Sequence, residues 1–342
     1  MRKVTIYEIA KKVGLSPATV SRAIHSPHLL SEATLERIQQ AMKESNYSYN
    51  AAAANLARGS STSVHVFMPA VASPVFSATV MGVQEYAFKK LFSVVVSSTN
   101  YDSRYEVELL KQAREQRCAG ILLTGLCKSN EAKAQDLAEE GMPVVILWEK
   151  GPEGLNSVGF DNYEVTRRVT EYLISLGHRR IAGVFGLYSL FHRVQMRLDA
   201  YLDVLKENGI LPDPDLYMES YPTIEEGKRA VSGLLRLKER PTAILCANDF
   251  QAIGAYDVIK KAGLRIPEDI SVFGYDDIEV APYLSPALST VHVPSYEIGR
   301  LAVERLLNML EKKDSPVVHI TVDTPLMIRE SCAPPAGKTP YV

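Results

Sequence analysis

VGLSPATVSRAI, residues 13–24, decides how the N-terminal part of this chain folds. Upstream of it, Ile6, Ile9, Ala10 and Val13 recur at spacings of three and four, the stripe of a short helix that Thr5 can cap. Gly14 ends that helix, Ser16 opens a second with Pro17 in its first turn, and Val20, Ala23 and Ile24 form the second stripe. Two short helices across a glycine-containing turn predict a helix-turn-helix. Ser31 would cap a third helix, with Leu35, Ile38 and Met42 facing inward. In such a motif the start of the second helix meets base edges in the major groove. Pro17, Ala18 and Arg22 would point there, Ala18 offering a methyl to thymine and Arg22 a fork to guanine. Thr5, Tyr7, Thr19, Ser21, Ser31 and Thr34, with Ser16 at the helix start, carry hydroxyls suited to phosphates. The competing reading is a helical corner inside a larger domain.

Charge along the chain favours the first reading. The net charge of the 342 residues is −2, yet residues 1–60 hold eight Lys and Arg against four Glu, a balance of +4 that leaves −6 for the rest. A basic head on an acidic body suits a chain of which only the head meets a polyanion. With 46% hydrophobic and 23% charged residues the chain can bury a sizeable core in two or three domains. It shows neither a leader pattern nor an apolar run of roughly 18–20 residues, so a cytoplasmic protein without membrane contact is expected. Cys118, Cys127, Cys246 and Cys332 stand far apart without a C-x-x-C pair, which predicts buried reduced thiols rather than disulfides or a metal site.

TIYEIAKKVGLSPATVSRAI, followed by LSEATLERIQQAMKESNYSYNAAAANLARG, resembles the head and hinge of the lactose/galactose-repressor family of bacterial transcription regulators, and the resemblance extends over nearly the whole chain. It implies that Pro17, Ala18 and Arg22 read bases and that NAAAANLARG is a hinge. Two hinge helices would pair across a dimer, each placing Leu56 in the minor groove as a wedge. The DNA-facing set then also includes His25, Tyr47, Asn50 and Ala53. His25 stands where the family usually has Asn, and Ser48 precedes Tyr49-Asn50 where a Pro-Asn pair is common. The hinge has fewer than ten residues in its Ala-rich part, too few for a stable isolated helix, so it would fold on a partner.

From Val64 onward VHVFM, FSVVVSS, AGILLTG, PVVILW, RRIAGVFG, TAILCAND and ISVFGYDD alternate with amphipathic stretches, predicting βαβ units with parallel sheets covered on both faces. The expected fold is an N-terminal all-α helix-turn-helix head plus hinge helix, then an α/β body of two doubly wound lobes; the resemblance makes these periplasmic-binding-protein-like. The division that follows is 1–49 for the head, 50–61 for the hinge and linker, 62–160 plus 293–322 for one lobe, 161–292 plus 323–334 for the other, and 335–342 for a tail.

Ligands of open parallel sheets sit beyond the carboxyl ends of the strands. Asn248 and Asp249 end TAILCA, Asp276 and Asp277 end SVFGY, and Arg193 and Arg197 share a helix face after RRIAGVFG. Amide, carboxylates and guanidinium suit vicinal hydroxyls, with Trp148, Phe76 or Tyr221 as an aromatic plate. The resemblance matches Arg197, Asn248 and Asp276 to effector-binding positions, and Ser73, Phe76, Trp148, Glu149, Arg193 and Tyr221 more loosely. Each has a structural alternative: Asp249 reads as a helix N-cap, Asp276-Asp277 as a turn, Trp148 as core, and Arg193 as a surface charge.

Enzyme readings lack support. The chain has no G-x-G-x-x-G after a strand, no G-x-x-x-x-G-K-[ST], no G-x-S-x-G and no H-E-x-x-H, and its histidines are scattered, with His178 in SLGHRRI reading as a helix end. The expectation is a homodimeric operator-binding repressor controlled by a sugar or sugar derivative, without cofactor or metal. The alternatives are an NAD-dependent α/β enzyme, a sugar-binding protein without a regulatory role or, within the family, a purine-responsive or catabolite-control regulator. A phosphorylated partner protein acting as co-effector also fits. The dimer face is expected on PVFSATVMGVQEYAFKK, through Phe76, Val80, Val83 and Tyr86, with burial inside the chain's own core as the competing reading.

Overall fold

The structure, a computed structural model, describes residues 4–25, 27–47, 61–312 and 316–336. Two compact units divide the chain, Met1–Ser61 and Thr62–Val342.

In the first unit α1 (Ile6–Val13), α2 (Pro17–His25) and α3 (Glu32–Glu44) surround a small core of Ile9, Ala10, Val20, Ala23, Ile38 and Ala41. Leu35 and Met42 pack against it from α3. A capping box starts α1: the Thr5 backbone N–H donates to Glu8 Oε2 at 2.8 Å, while the Glu8 N–H donates to Thr5 Oγ1 at 3.4 Å. Gly14 ends it in the left-handed region (φ 65), where a side chain would be strained. Ser16 Oγ accepts the Thr19 N–H at 3.1 Å, so the break and restart are both built from local bonds. Ser31 occupies the cap position of α3, but its hydroxyl pairs with Thr34 Oγ1 at 2.8 Å instead of capping the backbone. Asn50, Ala53 and Leu56, with the rest of the hinge, lie outside the described residues.

The second unit carries twelve strands among its described residues. They are β1 (Ser63–Met68), β2 (Ser93–Ser98), β3 (Gly120–Thr124), β4 (Val144–Leu147), β5 (Asn156–Gly159), β6 (Ile181–Phe185), β7 (Tyr217–Glu219), β8 (Ala243–Cys246), β9 (Ser271–Phe273), β10 (Thr290–Val291), β11 (His319–Thr321) and β12 (Leu326–Met327). One parallel sheet has the order β11-β5-β4-β3-β1-β2 and a second has β7-β6-β8-β9. Interior strands such as GILLT and VVIL are buried throughout because helices cover both faces, which is why they read as continuous apolar runs. Those helices are α4 (Pro74–Lys89), α5 (Ser103–Glu115), α6 (Glu131–Glu139), α7 (Asn162–Ser175), α8 (His192–Glu207), α9 (Ile224–Leu234), α10 (Asp249–Lys261) and α11 (Ser295–Glu311). The chain leaves the first sheet after β5, builds the second, and returns through α11 to add β11 beside β5, while β10 and β12 form an antiparallel pair. Strand β5, NSVG, and the short β7, β10, β11 and β12 have no apolar run to announce them.

Two expectations need correction. Asn248, not Asp249, caps α10, its Oδ1 accepting the Gln251 N–H at 2.8 Å. Asp249 is a buried first-turn residue that accepts from Thr290 Oγ1 at 2.7 Å and the Ile278 N–H at 2.9 Å. Along α4, Phe76 and Val83 are buried in their own core and Val80 and Tyr86 pack against it; the apolar side chains left exposed there are Met81 and Phe88, with Leu91 just beyond. His178 lies past the end of α7, buried, with Nδ1 2.9 Å from Thr242 Oγ1 and Nε2 3.0 Å from the Ala333 carbonyl oxygen. Its backbone N–H donates to the Leu173 carbonyl oxygen at 3.3 Å in the turn that closes α7, the helix-end role expected of it, and its ring ties that turn to the start of β8 and the C-terminal segment. Cys118, Cys127 and Cys246 are buried, Cys332 is partly so, and all four are free thiols.

Candidate functional site

On the first unit Thr5, Tyr7, Ser16, Ala18, Arg22 and Ser31 are exposed, while Pro17, Thr19, Ser21 and Thr34 are half-buried. Tyr7 is 71% exposed, far more than a tyrosine that only fills space. The hydroxyls of Thr5, Ser16, Thr19, Ser31 and Thr34 already make local bonds, and each keeps a lone pair or its proton for one more partner. Lys12 is tied to Glu44 at 3.0 Å, so part of the basic charge serves the fold. Tyr47 is half-buried against the helical core. His25 closes α2, and its side chain lies outside what is described.

In the second unit a cavity of about 490 Å³ opens beyond the strand ends of both sheets. Seven of the nine expected residues line it: Ser73, Phe76, Trp148, Arg193, Arg197, Asn248 and Asp276. Ser73 sits at the cap position of α4 and brings Phe76 into the wall one turn later. Trp148 follows β4 with φ 73 and Asp276 follows β9 with φ 109, conformations that cost strain for residues with a side chain and that gather at functional sites. Trp148 Nε1 donates to Thr79 Oγ1 at 3.2 Å, and its ring meets Phe76 edge to face at 5.3 Å.

Glu149 and Tyr221 stand outside the cavity. The Glu149 carboxylate turns inward and accepts the Leu126 N–H at 3.3 Å. Tyr221 is 49% exposed, its ring 6.1 Å from that of Tyr101, and its carbonyl accepts the N–H of the lining residue Thr223 at 2.8 Å. In their place Tyr101 and Phe191 supply aromatic wall. Tyr101 belongs to a left-handed turn after β2 (φ 58), and the tandem Asn100-Tyr101 before a capping Asp102 was the sequence sign of that turn. Asn162 was also missed. It opens α7, is fully buried, accepts Arg197 Nε at 2.8 Å and donates to the Trp148 carbonyl at 3.0 Å.

Arg197 is thus fixed three ways: by Asn162, by Nη1 donating to the Ala247 carbonyl at 3.2 Å, and by the Tyr275 ring, 3.8 Å from its Cζ. Asn248 has its oxygen on Gln251 and its amide nitrogen on the Pro222 carbonyl at 3.1 Å, leaving one N–H free. The Asp276 side chain makes no hydrogen bond among the described residues. Burial, and then the nearby Asp249 carboxyl, hold its pKa well above the ordinary value against the pull of Arg197 and Arg193. Burial likewise pushes Glu149 up to about 7. The cavity therefore offers guanidinium and amide donors, one carboxyl and aromatic faces, which is a set for holding a small polar ligand. Among the described residues no group of His, Cys, Asp and Glu is placed to hold a metal.

Residues 5–50 match the family model of bacterial regulatory proteins of the lacI family, and residues 170–332 match that of a periplasmic binding protein-like domain. The chain is 31% identical over 329 residues to the ribose operon repressor of Haemophilus influenzae, covering 96% of this chain and 98% of that protein. It is also 31% identical over 328 residues to the transcriptional repressor CytR of Escherichia coli, covering 96% of each. Among solved structures, the lac repressor dimer bound to operator and the anti-inducer ONPF superposes with a TM-score of 0.83 at 29% identity, covering 97% of this chain and all of that one. Fold and site define a DNA-binding transcriptional regulator with a two-lobed, periplasmic-binding-protein-like body. The chain belongs to the lacI family of bacterial regulatory proteins, as its head and hinge sequence led us to expect.

Proposed function

We propose that this chain is a cytoplasmic repressor that binds operator DNA as a homodimer and changes its affinity when a small polar ligand enters the cavity of its body. It is not an enzyme on this reading. The observation that carries it is the cavity itself: buried Arg193 and Arg197 face Asp276 across a space of about 490 Å³, with aromatic walls and no catalytic pairing of nucleophile and base. Residues 1–49 would read DNA through Pro17, Ala18 and Arg22, residues 50–61 would form the hinge, and the two lobes would divide as 62–160 with 293–322 and 161–292 with 323–334. Ligand contact would reach α4 because Trp148 bonds both Asn162 and Thr79, and α4 carries the exposed Met81 and Phe88 that suit a partner subunit. Such coupling is reciprocal and amounts to about 1–3 kcal/mol in typical cases.

The test replaces Asp276 by Ala. Thermal-shift screening of the intact protein against sugars, sugar acids, sugar phosphates and purines identifies a ligand, which is then titrated against a fluorescent operator. Asp276→Ala should weaken ligand binding by about 1–3 kcal/mol and abolish the response while leaving operator affinity without ligand unchanged. A normal response in this variant moves the ligand elsewhere, and turnover of the ligand by the wild type defeats the regulator reading.

A further inference from the structure

Arg193, in the first turn of α8, is only 7% exposed, yet its side chain makes no hydrogen bond with any described residue, and its Nη1 is buried without a partner. Neither Glu149 nor Asp276, its carboxyl neighbours, forms an ion pair with it among the described residues, although both act on it electrostatically. The guanidinium is nonetheless held still. It lies against the backbone at Gly125, where a Cβ would stand 2.6 Å from its Cζ, and over the Phe191 ring at 5.7 Å. Gly125 is needed twice over, for this close approach and for its φ of 75.

The contrast with Arg197 is sharp. Arg197 spends Nε and Nη1 on the fold and lies on Tyr275, so its charge is already accommodated. Burying a cation without an ion-pair or hydrogen-bond partner is costly, and strongly perturbed buried charges cluster at ligand and active sites. The nearby carboxyls offset it only in part: burial raises both Glu149 and Asp276, so each holds its proton more readily than a free carboxyl. Glu225 also lines the cavity, but its side chain is 81% exposed and paired with Lys228 at 3.1 Å.

We propose that the ligand is an anionic, hydroxylated molecule of monosaccharide size whose carboxylate or phosphate is received by Arg193, while Asp276, Asn248 and the free N–H groups of Arg197 take its hydroxyls. The proposal rests on the reading of the cavity as the ligand site. A guanidinium whose donors are not used by the fold matches a planar carboxylate or a phosphate by two parallel bonds. The aromatic walls fit the apolar face of a sugar carbon skeleton. Carboxylate and phosphate share this chemistry, and the probes below separate them.

The intact protein is titrated calorimetrically with glucose, gluconate, glucose 6-phosphate, ribose, ribose 5-phosphate and inorganic phosphate, each with wild type, Arg193→Gln and Arg193→Lys. At least one anionic probe should bind about tenfold tighter than its neutral parent, and the better of gluconate and the sugar phosphates names the anionic group. Arg193→Gln should remove about tenfold of that preference, and Arg193→Lys should restore part of it by keeping the charge without the fork. Thermal melts of both variants check folding, and if Arg193→Gln does not fold, the Lys variant must still show a reduced preference. Neutral sugars binding as well as the anions, or an anion preference untouched in both variants, overturns the proposal while the cavity reading survives. If none of the probes binds to the wild type, the proposal fails outright; if, in addition, Asp276→Ala does not alter the response to a ligand found by screening, the cavity reading fails with it.

Discussion

Arg197 donates Nε to Asn162 Oδ1 at 2.8 Å, and the Asn162 amide in turn donates to the Trp148 carbonyl at 3.0 Å. One buried amide thus joins a cavity residue of α8 to the strained residue that ends β4. Asn162→Ala would leave the Arg197 N–H and the Trp148 carbonyl unpaired in the interior. We expect a loss of about 1–3 kcal/mol in stability, seen in the denaturant midpoint, together with weaker ligand binding. Unchanged stability would mean that water replaces the amide without cost.

The crossing of α4 and α11 depends on two glycines. A Cβ on Gly299 would overlap the Thr79 carbonyl, and one on Gly82 would overlap the Tyr296 carbonyl; both obstacles are backbone. Gly299→Ala should therefore destabilise by about 1–3 kcal/mol or more, since neither helix can yield without shifting as a whole. Gly233→Ala, in α9 with nothing near its Cβ position, should stabilise by about 0.5–1 kcal/mol. Opposite shifts in melting temperature for the two variants check the argument.

Glu149 and Asp249 are both pushed up to about 7, by burial in each case. In the native state they hold protons that the unfolded chain releases near pH 4 to 4.5, so their contribution is complete below that range and fades as pH rises through about 7. Stability of the body should fall between about pH 5 and pH 7 by at most about 1.4 kcal/mol per pH unit for each group. Glu149→Gln, which keeps an acceptor for the Leu126 N–H, should remove its share of that slope in urea melts while Asp249 retains its own.

Arg22 is exposed on α2, and no shared core contact holds it. Arg22→Ala should weaken operator binding by about 1–3 kcal/mol and relax preference at one base pair, with no change in the thermal stability of the body. Equal losses on operator and random DNA, measured by fluorescence anisotropy, would reduce Arg22 to a phosphate contact.

Much of this was legible in the sequence because it is local. Thr5, Gly14, Ser16 and Pro17 set the ends of α1 and α2 through bonds spanning three or four residues, and apolar spacing selected the core of the first unit. The long interior strands were equally plain, since a strand covered on both faces must be apolar throughout. Strand β5 was not: Asn156 and Ser157 are buried polar residues that satisfy themselves through Arg305 and His319, about 150 residues away in sequence. The choice between Asn248 and Asp249 as the cap of α10 turned on one residue of register, which the sequence leaves open and the bond to Gln251 decides.

For the cavity, the sequence by itself determined which polar residues end strands and which two arginines share a helix face. Only the tertiary structure decided that Glu149 and Tyr221 stand aside, that Tyr101, Phe191 and Asn162 belong, and that Arg193 is left unpaired where Arg197 is not. The physical reason is that partnership is a matter of distance across the fold. Arg193 and Arg197 are four residues apart and chemically identical, and what separates them is Gly125 and Phe191 beside one, Asn162 and Tyr275 beside the other.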